Sequence, residues 1–126
     1  MGELLVLTNN PLVIEALAEP PVQPVAGRGL AVVFRAALEL VQAGYRLVSA
    51  PLPPNVPLIR APYRSLLLAK AARQYDLEGL RLLELARERA ETLGRPAWAE
   101  EQARDAAIID RELLARALTE SRAFNF

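Results

Sequence analysis

Apolar runs and amphipathic stretches alternate along the first part of the chain. Residues 3–8, Glu-Leu-Leu-Val-Leu-Thr, have the nearly continuous hydrophobicity of a strand buried on both faces. Asn10 and Pro11 predict a helix start, because asparagine caps free backbone N–H groups and proline suits the first helical position. We expect this helix to end near Ala18. The proline-rich stretch that follows permits only an edge strand, at residues 22–25.

The next part of the chain predicts a helix, a strand and a long loop. Residues 29–43 are apolar around most of the helix circumference, which is typical of a helix buried on most sides. Gly44 is expected to end this helix, because the left-handed conformation after a helix favours glycine. Residues 45–49 then predict a strand. Five prolines in residues 50–62 predict a stiff, extended loop that contains neither helix nor sheet interior.

One strand and two helices are predicted for the second half. Residues 65–69, Ser-Leu-Leu-Leu-Ala, favour a last strand, although leucine and alanine suit a helix equally. Asp76 is the expected cap of a helix over residues 77–93, which Gly94-Arg95-Pro96 then terminates. The last helix is expected at about residues 97–117 or a little beyond. The predicted apolar face of the helix over residues 77–93 comprises Leu77, Leu80, Leu83, Ala86, Ala90 and Leu93.

The order of these elements predicts the architecture. Strands that alternate with helices favour parallel pairing through right-handed crossovers. We therefore expect a single α/β domain over residues 1–126, a small three-layer domain with a mostly parallel four-stranded sheet flanked by helices, two of them C-terminal. If the second and third strands lie on opposite sides of the first, the chain reverses its winding direction between the first and third strands. The crevice outside the carboxyl ends of those strands is then the expected ligand site.

Composition narrows the class of protein. A chain of 126 residues with 52% apolar and 24% charged residues fits one globular domain. Fifteen basic and fifteen acidic residues cancel, so no net field attracts nucleic acid or anionic lipid. The longest mostly apolar stretch, residues 30–41, is too short for a membrane span. The lack of cysteine and of a basic leader region predicts a cytoplasmic protein.

The residue types that are missing exclude much of the usual enzyme chemistry. The chain has no histidine and no cysteine, which removes Ser-His-Asp and Cys-His catalysis and the commonest metal ligands. The first strand is followed by Asn-Asn-Pro-Leu-Val where a dinucleotide fingerprint or a Walker motif needs glycines. We therefore predict no bound metal and no cofactor, and these absences leave no residue that the sequence marks as catalytic.

Candidate binding residues follow two of the predicted strands. Thr8, Asn9 and Asn10 lie where the first strand ends and a helix begins, so their amides and free N–H groups face the predicted crevice. Ser49 and Pro51 end the third strand at the same edge. One interpretation is a small site for a polar or anionic ligand. The alternative is that both asparagines only form a turn and cap a helix.

Three further candidates come from the proline loop and the last helix. Arg64, like Arg60, is an expected charge partner for an anion, and Tyr63 either stacks against ligand or anchors the loop. Asp110 falls near the apolar stripe of the last helix, where a carboxylate needs a partner. It either contacts a ligand or accepts backbone N–H bonds and pairs with an arginine.

Other side chains leave a structural and an interaction role open. Trp98, Phe124 and Phe126 are expected to close the core or to make a dimer contact. Three glutamates on the predicted helix over residues 77–93 interleave with arginines, which is typical of a solvated surface; these are Glu84, Glu88 and Glu91.

Four segments in this order resemble the GrdX family. They are residues 5–13, residues 43–48 followed by 51–52, residues 61–65 and residues 108–110. Members of that family are small proteins usually encoded beside the glycine, sarcosine or betaine reductase genes of amino-acid-fermenting bacteria, and no reaction is established for them. The resemblance implies an accessory role. The chain departs from the family pattern at Ala50, where a more polar residue is expected before Pro51.

Three functions remain open at this point. The first is a non-enzymatic accessory domain that binds a small polar or anionic ligand. The second is a small enzyme acting on an anionic amino-acid-like or carboxylate substrate, with Asp110 or a glutamate as acid–base and an arginine for the anion. The third is a purely structural interaction module that binds a protein partner in a larger complex. Formation of a homodimer through the C-terminal helices is compatible with the first function.

Overall fold

The computed structural model describes residues 3–54, 56–70, 74–93 and 98–123. Four strands and several helices alternate along it. In chain order they are β1 (Leu4–Thr8), α1 (Pro11–Ala16), β2 (Val22–Pro24), α2 (Leu30–Gln42), β3 (Arg46–Leu47), α3 (Val56–Ile59), β4 (Ser65–Ala69), α4 (Leu77–Leu93) and α5 (Glu100–Ala123).

Local signals place the helix ends close to the predicted positions. The Asn10 side chain accepts a hydrogen bond of 3.0 Å from the backbone N–H of Leu12 and so caps α1. Gly44 follows α2 with a φ of 110°, a conformation that favours glycine. Asp76 caps α4 through a 3.0 Å bond from the backbone N–H of Gly79. These three predictions are confirmed.

The sheet is mixed, and the prediction of a mostly parallel sheet is wrong. Its strand order is β2-β1-β4-β3, so β4 occupies the place beside β1 that was predicted for β3. The strands β1 and β2 are parallel, whereas β4 runs antiparallel to both of its neighbours. β2 lies at an edge, as predicted for a strand that contains proline.

The reversal of β4 has a physical reason in the segment before it. Parallel neighbours require a crossover of a dozen or more residues, usually a long helix, that carries the chain to the opposite end of the sheet. Residues 48–64 between β3 and β4 are numerous enough for a crossover, but in the described part of this segment the one helix is the four-residue α3. No long helix carries the chain to the opposite end of the sheet, and it re-enters at the end where it left, with Ser65 beside Thr8.

Helices cover both faces of the sheet, as the three-layer prediction requires. Alternate residues of a strand point to opposite faces. On one face, Leu7 of β1 packs with the buried side chains of α2 and α4, among them Phe34 and Leu83. On the other face, Val6 packs with α1 and with Leu114 of α5. The strands at the centre therefore contribute to two separate cores.

The proline segment contains a helix that the sequence did not predict. The extended loop expected at residues 50–62 is interrupted by α3 over Val56–Ile59. Pro57 falls in the first turn, where the backbone N–H that proline lacks has no helical acceptor to lose. Proline disrupts the interior of a helix but not its first turn, so the prolines of this segment do not exclude a short helix.

Several boundaries also differ from the predictions. The third strand covers only Arg46–Leu47, α1 ends at Ala16, and α5 extends to Ala123. Leu77, predicted to be in the apolar face of α4, is 64% exposed. Trp98, predicted within the last helix, precedes α5. Predictions that involve residues 94–97 and 124–126, including Phe124 and Phe126, lie outside the described residues.

None of the helices in the described residues is long and apolar enough to cross a bilayer.

Candidate functional site

Most of the predicted site residues meet at one end of the strands, where β1 ends and β4 begins. The strand topology that brings them there differs from the predicted one. Because β4 is reversed, its first residue Ser65 pairs with Thr8, the last residue of β1. Arg64 therefore lies beside Asn9, and its backbone N–H donates to Asn9 Oδ1 at 2.9 Å. Ser49 reaches the same edge after β3, where its backbone N–H bonds to the carbonyl of Leu67 at 3.2 Å.

Asp110 of α5 lies at the centre of this edge and is almost fully buried. Its Oδ1 accepts a hydrogen bond of 2.8 Å from the backbone N–H of Ser65. Its Oδ2 accepts from the Ser65 hydroxyl at 2.6 Å and from the Asn10 amide at 2.9 Å. Nη1 of Arg64 lies 3.8 Å from Oδ1. The carboxylate therefore has both the hydrogen bonds and the counter-charge that burial requires.

The directions of the hydroxyl hydrogen bonds follow from this arrangement. A carboxylate only accepts, so the single hydroxyl hydrogen of Ser65 is donated to Asp110. The 2.7 Å contact between the Thr8 and Ser65 hydroxyl oxygens must then use the hydrogen of Thr8. Thr8 Oγ1 in turn accepts from the backbone N–H of Asn10 at 2.9 Å. A buried chain of donors therefore runs from Asn10 through Thr8 and Ser65 to Asp110.

Asn9 and Asn10 use their side-chain amides within the protein. The Asn9 amide nitrogen lies within 3.1 Å of the backbone carbonyls of Gly27, Gly29 and Pro62. The Asn10 amide donates to the carbonyl of Ala107 at 2.9 Å as well as to Asp110. These contacts favour the interpretation in which the two asparagines form a turn, cap a helix and connect neighbouring segments.

Arg64 is a nearly buried cation with part of its guanidinium uncommitted. Nε donates to the carbonyl of Pro51 at 2.8 Å and Nη2 to that of Ala50 at 2.7 Å. Burial lowers the pKa of Arg64, and the charge of Asp110 opposes this effect. Arginine keeps its charge in proteins at ordinary pH. Among the described residues, Asp110 at 3.8 Å is the one group paired with Nη1, beyond hydrogen-bond distance.

A cleft of about 410 Å³ opens beside this network, between α5 and the segment that follows β3. Of the predicted residues, Ser49 and Arg64 line it. Ser49 Oγ accepts from the backbone N–H of Leu67 at 2.9 Å, which leaves the hydroxyl hydrogen of Ser49 for another acceptor. Polar side chains that complete the lining are Ser65, Arg116, Glu120 and Ser121.

The other predicted residues lie outside the cleft. Thr8, Asn9, Asn10 and Asp110 are buried and do not line it. Pro51 contributes a backbone carbonyl to Arg64. Cζ of Arg28 lies 5.7 Å from the centroid of the Tyr63 ring, a cation–π contact. Arg60 accepts a 3.0 Å hydrogen bond from the Trp98 indole through its backbone carbonyl.

Sequence reasoning missed the contribution of α5 to the cleft. Arg116 and Glu120 are four residues apart on an exposed helix face, the usual spacing of a solvated ion pair, so no local signal sets them apart. Ser65 was assigned only to strand entry, although a serine between Arg64 and an apolar strand is a polar residue that needs a partner. Metal ligation has no support in the described residues, which contain no group of three or more acidic side chains placed to hold an ion.

Comparison with known proteins identifies a family. No curated protein and no solved structure gives a significant match to this chain. The family model described as GrdX-like protein matches residues 5–119, which include β2, β3, β4, all of β1 except Leu4, and the cleft residues from Val48 to Ala117. The chain therefore belongs to the GrdX-like family.

Proposed function

We propose that this protein is an accessory domain that binds a small anionic ligand, such as a carboxylate, without transforming it. The observation that carries the proposal is the position of Arg64 on the wall of the cleft. Its guanidinium is held by two backbone carbonyls, and among the described residues Nη1 has only a longer contact with Asp110. A cation that is fixed in this way binds an anion with little loss of side-chain entropy.

The size and lining of the cleft support the same ligand class. Its volume of about 410 Å³ is near the lower end of the range for small-molecule sites, which starts at roughly 300 Å³. Arg116 supplies a second positive charge, and the Ser49 hydroxyl supplies a hydrogen-bond donor. Glu120 is the acidic group on the rim, so an amino-acid-like carboxylate with a positive group fits the charges.

The alternative of a small enzyme receives less support from the geometry. Asp110 accepts three hydrogen bonds and has Arg64 as its counter-charge, and these contacts hold its side chain in one fixed position. A general acid–base must be within reach of the proton that it transfers, and Asp110 does not line the 410 Å³ cleft. We therefore assign Asp110 a structural role in the proposal.

A ligand screen tests the proposal. The purified protein is heated with millimolar carboxylates, amino acids, inorganic phosphate and nucleotides, because a ligand that binds only the folded state raises the Tm. We expect one or more small carboxylates to raise the Tm, and calorimetry then gives the Kd. Arg116→Ala and Ser49→Ala are each expected to weaken binding by about tenfold, the effect of one charge-assisted hydrogen bond.

The control uses a cation outside the cleft on the same helix. Arg104 is exposed on α5 and does not line the cleft, so Arg104→Ala is expected to leave the Kd unchanged. Equal losses in Arg104→Ala and Arg116→Ala would indicate a general charge effect and contradict a specific site. A protein that is folded but shows no shift with any compound would also contradict the proposal and would favour the role of a module for a protein partner.

A further inference from the structure

The outer face of α4 presents a short stripe with an unusual order. Glu78, Leu82, Leu85 and Arg89 are spaced by four, three and four residues, so they lie on one side of the helix. Leu82 is 44% exposed and Leu85 is 59% exposed. The buried side of α4, which includes Leu83, faces α2 and the sheet. We call these four residues the α4 stripe.

The α4 stripe is complementary to the same stripe of a second copy that runs in the antiparallel direction. Glu78 lies four residues before Leu82, and Arg89 lies four residues after Leu85. A second α4 that runs antiparallel across a two-fold axis between the leucines places Leu82 opposite Leu85 of the other copy. The same operation places Glu78 of each copy opposite Arg89 of the other. A two-fold interface needs this kind of self-complementary surface.

The charges at the two ends of the stripe have no partner on their own helix. The residues four positions inward from Glu78 and from Arg89 are the two leucines, and Arg81, three residues after Glu78, forms no salt bridge with it. In the described part of the chain, neither charge forms a salt bridge. An antiparallel copy supplies the opposite charge at both ends, whereas a parallel copy would bring like charges together.

A groove beside the stripe extends the contact surface. It has a volume of about 640 Å³ and lies between α4 and the segment that follows β3. Leu52 and Pro51 form the wall opposite Leu82 and Leu85. A helix that packs on the stripe therefore also covers this wall, and the buried apolar area exceeds that of the two leucines alone.

We infer that the α4 stripe is a homodimer contact, occupied by the α4 helix of a second copy in antiparallel orientation. This inference is independent of the proposed ligand cleft, because it rests on a different helix face. Its chemistry is that of a small isologous interface, with leucines at the centre and two symmetry-related Glu78–Arg89 pairs at the rim.

Charge exchange tests the register of the interface. The molar mass of the wild type is measured by light scattering and sedimentation over a range of concentrations, where we expect a monomer–dimer equilibrium. Glu78→Arg and Arg89→Glu each convert both rim pairs into like charges, and each is expected to raise the dimer Kd about tenfold or more. The double variant Glu78→Arg/Arg89→Glu restores opposite charges and is expected to return the Kd to within about threefold of wild type.

Two further variants complete the experiment. Glu84→Arg makes the same change of charge on an exposed position of α4 outside the stripe, and we expect it to leave the Kd unchanged. Leu85→Lys is expected to abolish the dimer while circular dichroism shows an unchanged fold. A wild type that is monomeric throughout overturns the inference, and so does a double variant that fails to recover the dimer.

Discussion

The carboxylate of Asp110 connects segments that are far apart along the chain. It bonds to Asn10 at the start of α1 and to both donors of Ser65 at the start of β4, and Arg64 lies beside it. A buried carboxylate is tolerated when hydrogen-bond donors satisfy its lone pairs and a cation balances its charge. Removal of one of these groups leaves its partners unsatisfied. The contribution of Asp110 to stability is therefore that of the whole network.

Asp110→Ala is expected to lower the free energy of unfolding by about 3–5 kcal/mol, the cost of leaving a partner charge buried without its counterpart. Arg64 would lose its counter-charge, and the Ser65 backbone N–H would lose its acceptor. Urea denaturation followed by circular dichroism measures the change. Asp105→Ala, at an exposed position of the same helix, is the control and is expected to change stability by less than about 0.5 kcal/mol. Similar effects of the two substitutions would contradict the role of the network.

At the scale of elements, the first turn of α4 connects that helix to the sheet. Asp76 accepts from the backbone N–H of Gly79 through Oδ1 and from that of Leu47 through Oδ2, at 3.0 and 2.9 Å. A Cβ atom on Gly79 would overlap the Asp76 carboxylate. The glycine is therefore needed for space rather than for its backbone freedom, and the cap residue also contacts β3.

Gly79→Ala is expected to destabilise the protein by about 1–2 kcal/mol, although alanine normally favours a helix, because it displaces the Asp76 cap. In an Asp76→Ala background the obstacle is absent. There we expect the same change at Gly79 to be neutral or to stabilise by up to about 1 kcal/mol. The four proteins of this double-mutant cycle are compared by urea denaturation. A loss at Gly79 that is equal in both backgrounds would show that Asp76 is not the cause.

For the whole molecule, the two cores share the strands between them. Leu66 and Leu68 of β4 belong to the core under α2 and α4, whereas Leu67 belongs to the core under α1 and α5. Because β4 contributes alternate residues to both cores, loss of this strand from the sheet disrupts both cores at once. The chain should therefore unfold as one cooperative unit.

Leu83→Ala and Leu118→Ala test this, since each removes a leucine from a different core. Each is expected to cost about 2–5 kcal/mol and to shift one common transition. The transition is recorded by far-ultraviolet circular dichroism and by the fluorescence of Trp98, the only tryptophan in the chain. Coincident curves are expected in both variants. Two separated transitions, or one probe that does not respond, would indicate two independently stable layers.

Features that depend on near neighbours could be predicted from the sequence. Asn10, Gly44 and Asp76 each act on backbone groups within a few residues, so their roles at helix ends were predictable. The continuous apolar runs predicted β1 and favoured β4, although leucine and alanine suited a helix equally in the second run. Thr8 and Ser49 were candidates because each ends a predicted strand, Arg64 because it offers a positive charge, and Asp110 because a carboxylate near an apolar stripe needs a partner.

The arrangement of these parts depends on contacts between segments that are distant in the chain. Whether β4 pairs with β1, and in which direction, depends on the end of the sheet at which the proline segment returns, which no local pattern encodes. That choice made Asp110 a buried partner of Ser65 and left Arg64 at the wall of a cleft completed by Arg116 and Glu120 of α5. Contacts between residues distant in the chain set these roles, because the same polar side chain is a ligand contact or a structural bond according to what packs against it.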